Sequence, residues 1–557
     1  MAKEDKEENS PQEKNAEELF KEFREASVTE FFRKNKAHLG YSGQLRSLTT
    51  VVHELVTNSL DACEEAGILP EIYFEIRQLG QEHYRFKTRD NGPGIPVSHI
   101  PKVFATMLAG TKFHRHVQLR GQQGIGVSGV TLFSQMTTGQ PITVRTCTGD
   151  NKVHEVRLMV DVTKNSAEMV ETKQYSGYWR GTEVEGELKG VTCNISDRSP
   201  YEYLRRTALA NPYAEITYVD PDGRKTAFKR TSNKVPKPPV EMKPHPKGLA
   251  VDDLLNYAKS TESRHVGSFL SASFARVSSA KVNEMQKMVT FDLNKNPRKL
   301  TWAEAEEIIK AFDKMDFMAP SYEGLRPIGE DQIKKAVLSI LKPEFDVVIT
   351  RPPKVFSGGT PFQIEVALAY GGNAGRPVSG ETEEGVTAKA EIMRFANSTP
   401  LLFDASGCAL TKAVNGVDWK RYGIKDFDNS PITVFVNLIS MYVPYVSAGK
   451  QSVADEEEVI KEIKMSLMEA ARKFKIYHSR MRREIEKEAK MNTLLKYTTE
   501  IAPALAKLTG KDEKKILKDL THLVKEKLRI EAMESELEED EGEEEETDSS
   551  FKESDKE

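Results

Sequence analysis

Residues 51–63 have the sequence VVHELVTNSLDAC, and the rest of the chain is organised around this stretch. If it forms a helix, Glu54, Asn58 and Asp61 lie at positions i, i+4 and i+7 and share one face beside an apolar flank. A carboxylate there can orient water, and an amide oxygen can bind a hard cation. The pattern indicates the edge of a metal–nucleotide site, although this window alone would favour the solvated face of an amphipathic helix.

Two glycine-containing loops follow in order. Residues 90–96, DNGPGIP, come after two alternating, strand-like segments, so Asp90 at a strand end can accept a hydrogen bond from the amine of adenine. Glycines at positions 92 and 94 allow the backbone to approach the base closely. Residues 120–129 read RGQQGIGVSG, and within them Gln122 to Gly129 can wrap phosphates with main-chain N–H groups at the start of a helix near Val127.

This succession of an E-x-x-x-N-x-x-D-A helix, a D-x-G-x-G loop and a glycine-rich lid resembles the Bergerat-fold ATPases. That superfamily includes gyrase, heat-shock chaperones, histidine kinases and mismatch-repair ATPases. The resemblance implies an α/β sandwich that binds ATP. A Walker-type ATPase is excluded, because Pro444 stands where the segment ending in Gly449-Lys450 would need its first glycine.

Composition sets further limits on function. The chain has 557 residues, enough for roughly three or four domains. With a net charge of -5 and 30% charged residues, any DNA contact must come from a local basic patch. The four cysteines form no C-x-x-C pair, which favours reduced thiols. Since no apolar run is long enough to span a bilayer, we expect a cytoplasmic protein associated with the nucleoid.

Changes in pattern along the chain predict an α+β protein of several domains. We expect a disordered N-terminus at 1–15 and a sheet-containing ATPase domain at 16–245, which ends in a proline-rich basic link. Helical periodicity marks a module at 246–325. Strands return at 326–492 and lead into one long charged helix that ends near Met491. Residues 493–557 are expected to form a smaller helical pair and an acidic, disordered tail.

Later segments make the resemblance more specific. The runs HELVTNSLDA, YLRRTALANPYAEI, KPHPKG, QIEVALAYGG and IMRFANSTPLLFDASGCALTKAV together resemble the B subunits of archaeal-type DNA topoisomerase VI, from about Ser27 to about Met491. The resemblance implies a Bergerat-fold (GHKL) ATPase domain, a helix-two-turn-helix insert and a transducer domain with a ribosomal-protein-like right-handed crossover. From about Asn492 onward no resemblance to that family is identified, and no role is carried over.

The family resemblance also implies residue roles. Glu54 matches the water-activating base, Asn58 the Mg²⁺ ligand, Asp90 the adenine-binding aspartate and Lys450 the transducer lysine that reaches the γ-phosphate of ATP. Thr182 follows a G-T turn, where a threonine more often pairs a strand than contacts phosphate. The further predicted nucleotide contacts are Asp61, Gly92, Gly94, Thr111, Lys112, Gln122, Gln123, Gly124, Ile125, Gly126, Val127, Ser128, Gly129 and Thr182.

The implied function is the ATP-binding and ATP-hydrolysing component of a type II DNA topoisomerase. By the family resemblance, two copies pair with two copies of an A subunit that holds the cleaving tyrosine. ATP binding then dimerises the chain around a transported DNA duplex, which passes through the transient double-strand break. The whole enzyme would relax supercoils and decatenate DNA.

Three alternatives remain open at this point. A Bergerat-fold chaperone or mismatch-repair ATPase shares the nucleotide motifs but should lack the helical insert and the MRFANSTPLLFD run. A histidine kinase needs a phospho-accepting histidine upstream of the ATPase domain, whereas the first histidine, His38, lies beyond the only preceding helix. A non-enzymatic scaffold with a decayed site is disfavoured by the intact Glu54, Asn58 and Asp90.

Overall fold

The computed structural model describes residues 28–107, 117–121, 124–161, 164–238, 240–356, 359–377 and 388–527. Four predicted nucleotide contacts, Thr111, Lys112, Gln122 and Gln123, lie outside the described residues, as do the segments predicted to be disordered at 1–15 and in the acidic tail. The chain forms two compact units. The larger contains residues up to 418 together with 426–470, and the smaller contains 419–425 and the residues from 471 onward.

The first sheet of the larger unit has eight strands in the order β5-β4-β3-β6-β2-β1-β7-β8. Neighbouring strands run antiparallel except β1 and β7, which are parallel. The strands are β1 (Glu71–Gly80), β2 (His83–Arg89), β3 (Ile142–Cys147), β4 (Lys152–Asp161), β5 (Ser166–Ser176), β6 (Gly181–Lys189), β7 (Glu215–Val219) and β8 (Lys225–Phe228).

Alternation along the strands buries one face of this sheet under helices. Ile72, Phe74 and Ile76 of β1 are buried while their neighbours are more exposed, because strand side chains point to opposite faces in turn. They share one core with Val52 and Val56 of the long N-terminal helix. The helices are α1 (Val28–Asn35), α2 (Gln44–Glu65), α3 (Ile100–Ala105), α4 (Gly126–Thr138) and α5 (Pro200–Ala210).

A helical segment with its own hydrophobic core follows the proline-rich link. Its helices are α6 (Val251–Ser260), α7 (Val266–Ser273), α8 (Ser279–Gln286) and α9 (Trp302–Lys314). Phe269, Phe274 and Phe312 lie at the centre of this core. Thr301 and Glu304 form a capping box at the start of α9, which satisfies N–H groups that a helix start leaves unpaired. The predicted helical character of this segment is confirmed.

The second sheet has the order β10-β11-β16-β14-β15, with β9 paired to β11. All residues of β16 are buried, which fits a central strand. Because β14 and β16 are parallel, the chain must cross over between them, and a short helix lies in that connection. The elements are α10 (Glu330–Leu341), β9 (Phe345–Thr350), β10 (Lys354–Phe356), β11 (Thr360–Tyr370), β12 (Arg376–Pro377), β13 (Ala388–Lys389), β14 (Glu391–Ala396), β15 (Thr399–Pro400), α11 (Ala409–Asn415) and β16 (Ile432–Ser440).

The long charged helix, α12 (Glu457–Thr509), continues well past the predicted end near Met491. The segment predicted as the first helix of a separate pair is therefore part of α12. The first helix-stopping glycine is Gly510, whose φ of 67° and N–H bond to the Ala506 carbonyl are typical of a helix C-terminus. A further helix covers residues 513–527. None of the helices in the described ranges is long and apolar enough to cross a membrane.

Candidate active site

Helix α2 presents Glu54 and Asn58 on one side, as the sequence predicts. The Glu54 side chain is 21% exposed, and Asn58 is half-buried. Nδ2 of Asn58 donates a hydrogen bond to the Glu54 carbonyl at 2.6 Å, which orients the amide. Its oxygen then lies 3.9 Å from the position that a Cβ would take at Gly121. The amide oxygen of Asn58 is therefore the atom that can bind a cation beside the glycine-rich loop.

Asp61 lies on the same helix but is 2% exposed. Its Oδ1 accepts from Nη1 of Arg120 at 2.9 Å, and its Oδ2 accepts from the Gly121 N–H at 3.4 Å. Glu64, one turn on, pairs with Nη2 of Arg120 at 2.6 Å. The structure thus gives Asp61 a positioning contact with the start of the glycine-rich loop. A direct contact between Asp61 and a nucleotide stays a prediction that this geometry does not favour.

Asp90 directly follows β2 and is held by donors from a helix, a loop and a strand. Ser59 of α2 donates to its Oδ2 at 2.9 Å, and the N–H groups of Gly92 and Thr182 donate to its Oδ1 at 3.0 and 3.1 Å. Burial raises the pKa of Asp90 above its usual range, while these three hydrogen bonds oppose the shift. The carboxylate is therefore fixed in place and retains acceptor capacity for one more donor.

The glycines around Asp90 are required by close backbone approach. A Cβ on Gly94, whose φ is 78°, would lie 2.5 Å from the Cys147 carbonyl oxygen. A Cβ on Gly181 would lie 2.0 Å from the carbonyl oxygen of Asp90 itself. The Thr182 carbonyl accepts from the Asp90 N–H and the Thr182 N–H donates to Oδ1 of Asp90, so the observed role of Thr182 is to pair with Asp90. A contact between Thr182 and phosphate stays a prediction.

The described part of the glycine-rich loop leads into α4, which begins at Gly126, one residue before the predicted start. A Cβ on Gly126 would lie 1.9 Å from Oε2 of Glu54, so the predicted base sits against the first turn of α4. The first N–H groups of a helix lack partners within the helix and can bind phosphate. The Gly129 N–H already donates to the Ile125 carbonyl at 2.7 Å. Residues 124–128 therefore offer main-chain N–H groups that can bind a phosphate, and a contact from the Gly129 N–H stays a prediction that this geometry does not favour.

Lys450 reaches this site from the loop after β16. It is 7% exposed, and its Nζ donates to the Arg120 carbonyl at 3.2 Å. Its backbone has a φ of 51°, and the neighbouring Gly449 packs against the main chain at His38 and Gly40. The second sheet therefore brings a cation to the loop that precedes α4, as the sequence predicts.

The prediction from sequence missed a buried histidine beside Glu54. Nδ1 of His53 lies 3.1 Å from the Tyr203 hydroxyl, and its Nε2 lies 3.8 Å from Oε1 of Glu54. Burial lowers the pKa of His53, Glu54 opposes that shift, and Lys450 adds to it. The lowered pKa favours the neutral form of the His53 ring, which lies between Tyr203 and Glu54. The only sequence signal was the His-Glu pair in the opening stretch.

The assembled groups can perform one kind of chemistry. A carboxylate that can accept a proton from water, Glu54, faces a helix N-terminus that can bind phosphate. An acceptor for an amine, Asp90, lies beside Ser59, farther along α2. Across the described ranges no three His, Cys, Asp or Glu side chains cluster as metal ligands. Mg²⁺ is commonly bound by one or two protein groups together with substrate phosphates and water, and the Asn58 amide oxygen can be one such group.

Two family models match the chain. Residues 43–164 match the histidine kinase-, DNA gyrase B- and HSP90-like ATPases, and residues 320–490 match the transducer of the topoisomerase VI B subunit. Residues 320–490, which include the second sheet and the start of α12, are called the transducer region below.

Curated relatives named as the B subunits of type 2 DNA topoisomerase 6 match nearly the whole chain. The protein of Pyrococcus horikoshii is 47% identical, over 93% of this chain and 98% of that protein. The protein of Methanothermobacter thermautotrophicus is 47% identical, over 89% of this chain and 94% of that protein. Among solved structures, the ATPase region of Saccharomyces cerevisiae topoisomerase II aligns at 10% identity and a TM-score of 0.39, over 83% of this chain and 99% of that chain, too distant to support an inference.

Proposed function

The chain belongs to the family of type 2 DNA topoisomerase VI B subunits, and from this premise we propose that its site operates an ATP-driven gate for DNA. It is the ATP-hydrolysing component of a type II DNA topoisomerase. The transducer match at residues 320–490 separates it from the chaperone, mismatch-repair and histidine-kinase alternatives, which share only the ATPase motifs.

One observation carries the proposal for hydrolysis: the Glu54 carboxylate lies against Gly126 at the N-terminus of α4. A γ-phosphate bound by the first N–H groups of α4 would lie beside a base that can accept the proton of the attacking water. Asn58 supplies the amide oxygen for Mg²⁺, which neutralises phosphate charge when bound. Asp90 accepts the adenine amine, and Gly92 and Gly94 leave space for the base.

Loop residues complete the proposed nucleotide site. Residues 124–128 supply main-chain donors to the phosphates. Thr111, Lys112, Gln122 and Gln123 match the family's lid segments, and their contacts with ATP are proposed from that match. Lys450 leaves the Arg120 carbonyl for the γ-phosphate, since a charge-assisted bond to phosphate is stronger than one to a neutral carbonyl. Hydrolysis removes the phosphate and so reverses the contact.

The assembly follows from the family. We propose that two copies of the chain dimerise on ATP and pair with two A subunits, which make the double-strand break through which a second duplex passes. The enzyme would relax and decatenate DNA at the nucleoid, in the cytoplasm. The proposed domains are ATPase at 16–245, helix-two-turn-helix at 246–325, transducer at 326–492 and a C-terminal extension at 493–557.

The test of this function is the variant Glu54→Ala. We expect it to retain ATP binding and ATP-dependent dimerisation and to lose hydrolysis by about a hundredfold or more, because a positioned base contributes about 10²–10⁴ in rate. Phosphate release and equilibrium nucleotide binding measure the two effects separately. Glu65→Ala, at the exposed end of the same helix, is the matched control and should hydrolyse ATP as the unchanged chain does. Turnover of Glu54→Ala near the unchanged rate would remove Glu54 as the base.

A further inference from the structure

Residues 117–121, here called the lid base, connect to the transducer region through their backbone carbonyls. Nη2 of Arg326 donates to the Gln118 carbonyl at 2.9 Å. Nδ2 of Asn397 donates to the Leu119 carbonyl at 3.3 Å, and Nζ of Lys450 donates to the Arg120 carbonyl at 3.2 Å. Three successive carbonyls are thus each bound by a residue from a different part of the transducer region.

Arg326 and Gln118 bind each other in both directions. Oε1 of Gln118 accepts from the Arg326 N–H at 2.6 Å, and Nε2 of Gln118 donates to the Arg326 carbonyl at 3.3 Å. Gln118 is 4% exposed, so these bonds are shielded from water. Nη1 of Arg326 also lies 3.4 Å from Oε2 of Glu64 on α2. The segment that precedes α10 is therefore bound both to the lid base and to α2.

The side chain of Arg120 binds the ATPase side of the same segment. Its guanidinium pairs with Asp61 and Glu64 of α2 and donates to the Tyr213 hydroxyl at 2.8 Å. These groups are buried, and breaking such a set would leave charges without partners. The lid base is consequently held to α2 by a side chain and to the transducer region by its backbone.

Asn397 lies in a tight turn between β14 and β15. Asn397 and Ser398 have φ values of 47° and 60°, in the left-handed region that few non-glycine residues adopt. The Asn397 side chain also exchanges hydrogen bonds with Ser440, donating to its carbonyl at 2.8 Å and accepting from its N–H at 3.0 Å. Ser440 ends β16, the strand that leads to Lys450. One amide thus ties the lid base to the strand before the Lys450 loop.

We propose that Asn397 and Arg326 are positioning residues that keep the lid base aligned with the transducer region when Lys450 exchanges its carbonyl for a phosphate. This inference rests on the proposed function of Lys450. The Asn397 amide is neutral, so a phosphate does not compete for it as it does for an ammonium group. Lys450 is then the contact that changes, and Asn397 and Arg326 are the contacts that convey the change to the lid base.

The test uses two glycine variants of the same turn. Asn397→Gly removes the bonds to Leu119 and Ser440 without strain, because glycine adopts a positive φ freely. Ser398→Gly is the matched control, since the main-chain bonds of Ser398 to Asn211 and Asn437 persist. In the full chain without nucleotide, we expect Asn397→Gly to speed hydrogen exchange of the lid base about tenfold relative to both the unchanged chain and Ser398→Gly. Equal exchange in the two glycine variants would overturn the proposal.

The second readout is coupling in the complex with the A subunit. We expect Asn397→Gly to lower the DNA relaxed per ATP hydrolysed about tenfold, while Ser398→Gly keeps the unchanged ratio. A lower melting temperature with an unchanged ratio would mark Asn397 as merely structural and overturn the proposal. Absence of ATP hydrolysis by the chain without substitutions would contradict the proposed function. The hydrogen-exchange comparison made without nucleotide would still test the role of Asn397. If Asn397→Gly does not fold, Arg326→Lys is measured in the same two ways, because lysine cannot bind the Gln118 carbonyl and Glu64 at once as the guanidinium does.

Discussion

At the scale of single residues, Asp90 shows how a carboxylate can be fixed and still act as an acceptor. Ser59, Gly92 and Thr182 donate to it from a helix, a loop and a strand. An ionised carboxylate has about four acceptor positions, so three donors leave room for the adenine amine. The same bonds oppose the burial that raises the pKa of Asp90 and so favour its ionised form.

Asp90→Asn tests this acceptor. The amide can keep its oxygen toward the N–H groups of Gly92 and Thr182, but it offers an NH₂ group where the adenine amine needs an acceptor. We expect the Kd for ATP to rise about tenfold or more, as for an unsatisfied buried polar group. Nucleotide titration calorimetry measures this. Ser59→Ala, which removes one donor and keeps the carboxylate, should change the Kd by less than about threefold, and an unchanged Kd in Asp90→Asn would refute the adenine contact.

At the scale of secondary-structure elements, the N-terminus of α4 is the element on which the site depends. Ile125 caps it without a side-chain hydrogen bond, so the donors of the first turn are not satisfied by a capping side chain. The helix dipole adds partial positive charge at the same end. Gly126 allows the Glu54 carboxylate to approach this end closely. Base and phosphate site are therefore formed by two helices, α2 and α4, in direct contact.

Gly126→Ala tests that helix contact. The new Cβ would lie 1.9 Å from Oε2 of Glu54, and the carboxylate, at the end of a flexible side chain, would move away. We expect ATP hydrolysis to fall about tenfold or more with little loss of stability, since alanine favours a helix over glycine. Gly407→Ala, where a Cβ meets nothing within 4 Å, is the control for steady-state turnover and thermal unfolding. Unchanged hydrolysis in Gly126→Ala would contradict the placement of Glu54.

At the scale of the larger unit, helix α5 joins the two sheets. Arg205 and Arg206 of α5 both pair with Glu391 at the start of β14, and Asn211 at the end of α5 donates to the Ser398 carbonyl at 3.1 Å. Arg206 and Glu391 are buried, and removing one partner of such a pair is strongly destabilising. The ATPase sheet and the transducer sheet are thus connected along one helix as well as through the lid base.

The whole-molecule prediction concerns nucleotide-dependent dimerisation. In sedimentation of the purified chain with Mg²⁺ and a non-hydrolysable ATP analogue, we expect a dimer that is absent without nucleotide, because bound ligand stabilises the closed state. Asn58→Ala should stay monomeric, since it lacks the proposed Mg²⁺ ligand. A distribution of species that is the same with and without nucleotide would count against the gate.

The sequence alone was sufficient for the local features. The motif helix, the Asp90 loop and the strands that lead to it were predictable because periodicity and turn chemistry act over a few residues. The family, and with it the arrival of Lys450 at the site, followed from ordered motifs along the chain. The predicted end of α12 near Met491 was wrong, because no glycine or proline there stops the helix. The helix ends instead just before Gly510.

Only the tertiary structure decided the long-range pairings. Three contacts join residues that are far apart in the chain. They are the ion pair of Asp61 with Arg120, the contact of Glu54 with Gly126 and the hydrogen bond from Asn397 to the Leu119 carbonyl. Side-chain pattern within one element says which face is polar, but not which distant partner that face meets. Those partners are set by how the two sheets and the helices between them pack, and they distinguish residues that position the site from those that can contact ATP.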